Sequence, residues 1–85
     1  MKLFIFCVRD SATDQFGNPM FLVNEGQAIR SFSDEVNRND KDNMLYRHSE
    51  DFSLYSLGVY DGQTGLFETG VPAQLVTGKQ VRIRE

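Results

Sequence analysis

The chain has 85 residues with a formal charge of −3, 40% hydrophobic residues, 25% charged residues, one cysteine and no tryptophan. That is enough chain for one small domain, residues 1–85, and the ordinary balance of apolar and charged residues excludes a disordered chain. A net negative charge excludes general attraction to polyanions, so any nucleic-acid contact has to be local.

Cys7 stands alone, which excludes an internal disulfide and an all-cysteine zinc site. Flanked by Phe6 and Val8, it reads as a small apolar packing residue. The opening MKLFIFCV is too short for a signal peptide, and Arg9-Asp10 interrupts it before a cleavage site. No apolar run approaches the ~20 residues of a membrane span, so no membrane partner is expected.

In chain order, KLFIFCVR (residues 2–9) is apolar at nearly every position and predicts a central strand covered on both faces. DSATDQFGNP is rich in turn formers, and residues 19–23, PMFLV, predict a second strand that closes a long-looped hairpin. Asn24 is placed to cap a helix over 25–37, with Glu25 in its first turn and Gln27 completing a capping box. Ala28, Ile29, Phe32 and Val36 share its apolar stripe, while Arg30 and Asp34 stand four apart on the exposed side. Residues 37–43 then predict a solvated loop.

Residues 44–60 fit more than one pattern, and we assign a short strand at 44–47, one turn near 50–53 and a strand from about 54 to 61. Asp61-Gly62-Gln63-Thr64-Gly65 predicts the turn of a hairpin over 57–69. Beyond it, Gly70 and Pro72 predict a turn, PAQLV a helical turn released at Gly78, and KQVRIRE an alternating strand. The whole predicts an α+β fold: a mainly antiparallel sheet with one main helix on one face, its edges open to pairing in a homodimer. A partly open barrel of the kind used by single-strand binders is the alternative.

Chemistry finds little purchase. One His and one Cys, separated by 40 residues, make no catalytic constellation, so no enzyme is expected. Asp40 and Asp42 open a calcium-loop pattern that fails at Leu45, where glycine belongs. No glycine-rich phosphate motif occurs, and neither metal nor cofactor is expected. There remain the cations Arg47, Lys79, Arg82 and Arg84, with Tyr46 and Tyr60 as rings able to stack on bases. Against this stands the plainer reading that Tyr46, Tyr55, Tyr60 and Phe67 belong to the core or to cross-strand pairs, and that the basic residues confer solubility.

FGNPMF (16–21), AIRSFSDEVN (28–37), LYRHSEDFSLYSLGVYDGQTGLFE (45–68) and GKQV (78–81) together resemble the small non-structural protein of gokushovirus-type microviruses, bacteriophages with single-stranded DNA genomes. Ser49 departs from a proline of that pattern. The resemblance implies a protein of the host bacterial cytoplasm, acting in the switch from double-stranded replication to single-stranded genome synthesis and packaging. Two expectations follow from it. One is a single-stranded DNA binder using Arg47, Lys79, Arg82 and Arg84 on phosphates and Tyr46 or Tyr60 on bases. The other is an adaptor that binds a viral initiator, a procapsid or a host replication factor through Arg30, Asp34, Glu35 and Asn37.

Overall fold

The computed structural model describes residues 1–83. Strand β1 (Lys2–Asp10) is the spine of one antiparallel sheet. Two short strands, β2 (Gln15–Phe16) and β3 (Met20–Leu22), share one of its edges, and β4 (Phe52–Asp61) runs along the other. Strand β5 (Leu66–Thr77) pairs with β4 and forms the outer edge. The sheet curls into a half-barrel, which unites the α+β expectation with its barrel alternative.

Helix α1 (Glu25–Val36) starts where Asn24 accepts the Gln27 N–H at 2.7 Å, and the Gln27 side chain reaches back to the N–H of Val23. This is a capping arrangement that satisfies amides left open by the first turn. The predicted stripe is the buried one: Ala28, Phe32 and Val36 pack with Phe6, Phe52 and Leu54, and Ile29 flanks them. Cross-strand register puts Phe6, Val8, Leu54, Phe52 and Val76 on the sheet face toward the helix.

Three predicted elements are corrected. Residues 44–47 form a short helix, α2, because Asn43 turns inward and its side chain accepts the Leu45 N–H. The Asn43 amide also donates to the carbonyls of Glu35 and Arg38, so the last residue of the supposed solvated loop is 4% exposed. Gly70 and Pro72 make no turn. They sit in a bulge of β5 opposite Leu57, where the register shifts between Ser56 and Gly58, and the strand continues through PAQLV. Proline is tolerated there because β5 is an edge strand. The expected terminal strand is instead a helical turn, α3 (Gly78–Val81), held by a capping box between Thr77 and Gln80. The T-x-x-Q spacing is legible in the sequence and outweighs the alternation of KQVRIRE.

The hairpin over 57–69 and its turn form as predicted, with Gly65 at φ 76°. Gly58 takes φ 149°, and a Cβ there would overlap the backbone of Glu68 on the neighbouring strand. The bulge therefore requires glycine at this position.

Candidate functional site

The predicted nucleic-acid residues divide between two places. At the helix-bearing end, α2 and the single turn Ser49–Asp51 bring Tyr46 and Arg47 to a recess of about 490 Å³, which Arg82 enters from just beyond α3. The Arg82 guanidinium lies over the Tyr46 ring at 4.0 Å from its centroid, a cation–π contact. Arg47 is exposed, and its guanidinium donates to the Lys41 carbonyl at 3.3 Å. Lys79 is exposed on α3, whose first residue abuts Ser49 at the wall of the recess. Arg84 lies outside the described residues. Glu50 also lines the recess, so its charge is mixed. Among the described residues, His48, Glu50 and Asp51 each offer a ligand atom within 4.8 Å of the others, with Glu50 exposed.

Tyr60 is not part of this group. It stands near the far end of β4, roughly 25 Å along the strand from Phe52 at about 3.3 Å per residue. It points to the other face of the sheet, where it pairs with Leu3 and Phe67.

The residues expected to form a protein-recognition face divide too. Arg30 and Asp34 are exposed and line a shallow groove with Gln27, Ser31, Glu35 and Arg38. The expected Arg30–Asp34 pair is not among the ion pairs of the described residues. Glu35 pairs with Arg38 instead, through contacts of 2.6 to 3.2 Å, and Arg38 also reaches Asp40 at 3.1 Å. Hydrogen bonding to Arg38 lowers the pKa of the Glu35 carboxyl.

Asn37 acts as a structural clamp. Its amide donates to the carbonyls of Ser33 and Val81, and its oxygen accepts the Ile83 N–H at 2.7 Å. It ties the end of α1 to the chain after β5, so its polar atoms are already engaged.

Sequence reasoning missed the sheet face turned away from the helices. Register places Leu3, Ile5, Cys7 and Arg9 of β1 on that face with Phe16, Phe21, Tyr55, Tyr60, Phe67, Thr69 and Gln74 from the other strands. Tyr60 and Phe67 lie 4.9 Å apart, and Phe21 meets each edge-on at 6.1 Å. Phe16 meets Tyr55 edge-on at 5.3 Å, with the Arg9 guanidinium 5.9 Å from the Phe16 centroid. These rings cover Ile5 and Cys7, which are 4% and 1% exposed although, among the described residues, no helix lies over them. Burial raises the pKa of the Cys7 thiol, in keeping with its expected role as a packing residue. The reading of Tyr55, Tyr60 and Phe67 as cross-strand pairs holds. The signal for the whole face was the two-residue period of β1 and β4, readable only once their register is fixed.

The fold defines a small α+β protein with a half-barrel sheet, capped by helices on one face and by its own aromatic rings on the other. The family model described as phage ORF5 protein matches residues 3–81. The chain is also similar to protein ORF5 of Chlamydia phage 1, at 34% identity over 79 residues, covering 91% of this chain and 81% of the relative. The chain therefore belongs to the phage ORF5 protein family, the small microvirus proteins that its sequence resembles. No solved structure matches it.

Proposed function

We propose that this protein binds single-stranded DNA and does no chemistry itself, acting in the host cytoplasm in the change from double-stranded replication to synthesis and packaging of the single-stranded genome. The observation that carries this reading is the convergence of Arg47, Arg82 and Tyr46 on one recess, with Lys79 at its flank. Guanidinium groups suit phosphate oxygens because they offer several fixed donors and keep their charge. Arg82 is pre-positioned by the Tyr46 ring, while Arg47 is exposed and donates to the Lys41 carbonyl. Glu50 limits the strength of the site by opposing the approach of phosphate.

The test is titration of a labelled single-stranded oligonucleotide at two salt concentrations. Affinity falls steeply with salt, and Arg47→Ala reduces that dependence by about one unit of slope. Absence of binding at low salt overturns the reading.

A second reading has its own observation. The groove along α1 presents Arg30 and Asp34 beside the Glu35–Arg38 pair, a mixed-charge surface on a rigid helix. On this reading the protein is an adaptor for a viral or host replication or packaging protein, and Arg30→Glu abolishes capture of that partner. Retained capture by the variant removes the reading.

A further inference from the structure

We propose that the aromatic sheet face is a second contact surface for single-stranded DNA, where bases stack on Phe21, Tyr60 and Phe67 at one station and on Phe16 and Tyr55 at another. The proposal rests on the single-strand reading above but uses none of the residues of the recess.

Three features carry it. The first is charge. The chain has twelve Asp and Glu residues, yet none in the strands faces this side. Register puts Asp10, Asp61 and Glu68 on the opposite face, beside Phe52, Lys2 and Val59. The charge in the strands on the aromatic side is Arg9, which reaches Asp14 in the turn beyond and leans over Phe16. Among the described residues, the strands of an acidic protein here keep one face clear of their own carboxylates, and Asp14 in the adjoining turn is neutralised by Arg9, which lowers the repulsion a polyanion meets.

The second feature is exposure. Rings serving only as a lid over Ile5 and Cys7 would bury their faces, but Phe16, Phe21 and Phe67 remain 46%, 42% and 58% exposed. An apolar hollow of about 380 Å³ opens between Leu3, Phe21, Tyr60, Gly65 and Phe67.

The third is chemistry at the edges of the rings. Tyr55 and Gln74 stand side by side at 3.4 Å, and Thr69 lies on the same face. They supply hydroxyl and amide groups for base edges without adding negative charge. The two stations are roughly 15 Å apart, the run of β4 from Tyr55 to Tyr60. Exposed rings on a sheet, polar groups beside them and no strand carboxylate among them suit unpaired bases better than a duplex, whose bases are stacked away.

Phe67→Trp provides the test, because the substituted indole is the sole tryptophan of the chain. Phe67 is more than half exposed, so the substitution is accommodated without disturbing the core. Oligothymidylate is expected to quench the indole emission, whereas the same length of duplex leaves it unchanged. Phe67→Leu, which keeps an apolar side chain but removes the ring, weakens oligothymidylate binding about tenfold with the salt dependence unaltered.

The outcomes separate the two claims. If Phe67→Leu binds like the parent while Arg47→Ala loses salt dependence, the aromatic-face proposal is overturned and the recess reading stands. If indole emission shifts with protein concentration alone, a second copy of the chain covers this face and the proposal is overturned. If oligothymidylate binds to no form at low salt, both fall.

Discussion

The two faces of the sheet solve the same problem with different materials. A strand such as β1, apolar on both sides, must be covered twice, and the described residues of this 85-residue chain offer one long helix. On one side α1 buries Ala28, Phe32 and Val36 against Phe6 and Leu54, leaving each of these five residues at most 3% exposed. On the other side the cover is a single layer of rings, and the layer itself faces solvent. A helix seals because its backbone carries its own hydrogen bonds and its far side can be polar. A ring layer has no far side, so what shields Ile5 and Cys7 is also what a ligand would meet.

The largest effect that would test this contrast is on stability. Leu54→Ala removes a fully buried side chain under the helix and is expected to cost about 2–5 kcal/mol. Phe67→Ala on the ring layer, at 58% exposure, is expected to cost less than about 1 kcal/mol. Urea unfolding of the two variants measures both. Equal losses would show that the rings are as much core as the helix side, and the contrast between the faces would disappear.

Next in size is Gly58→Ala. Glycine at φ 149° lets β4 bulge around Leu57 and closes the strand against Glu68. Alanine there brings strain on the order of 2 kcal/mol and pushes β4 away from β5. The expected readout is a lower unfolding midpoint together with faster amide exchange at residues 66–69. An unchanged midpoint would mean that the bulge relaxes without cost.

Much of the helix-bearing face was legible in the sequence, because each signal there is local. The Asn24 cap, the period of Ala28, Phe32 and Val36, and the Asp61–Gly65 turn each lie within a few residues of what they specify. Signals of long range were lost. Asn43 resembles a loop residue until its amide is seen to reach Glu35 and Arg38, and that bond makes residues 44–47 helical. Nothing in the sequence near Asn37 shows that its amide reaches the Val81 carbonyl, 44 residues away. The candidate sites divide in the same way. Tyr46 and Arg47 are neighbours in sequence and remain so in space, whereas the union of Phe21, Tyr60 and Phe67 depends on pairing and curl that no short window contains.

A smaller effect reads the tightness of the ring layer directly. Cys7 lies on the aromatic side beside Tyr55 in the register, and Phe16 packs edge-on against that tyrosine. A buried thiol with a raised pKa reacts slowly, because the thiolate is the reactive form. Phe16→Ala is expected to raise the rate of Cys7 labelling by a neutral-pH disulfide reagent about tenfold, while global stability changes little. Phe32→Ala at equal denaturant distance from its midpoint should not produce the same selective gain. If it does, Cys7 is reached by global unfolding, and the ring layer is as tight as the helix.

The smallest expected effect lies at the tip where the two faces meet. The Asp61 carboxylate accepts the Gln63 N–H at 2.9 Å, which together with Thr64, Lys2 and the amino terminus holds its pKa below the ordinary 3.8. A carboxyl whose folded pKa is depressed binds protons more readily when unfolded. Its contribution is fully present above pH 3.8 and is lost as the pH falls through the lower folded value. Asp61→Asn should therefore flatten only the acid limb of the stability curve, since the amide oxygen can still accept from Gln63 but cannot be protonated in this range. An NMR titration of the Gln63 amide gives the folded pKa directly. A value at or above 3.8 would show that the turn is not held by the carboxylate, leaving the hairpin tip to the backbone bond from Gly65 to Asp61.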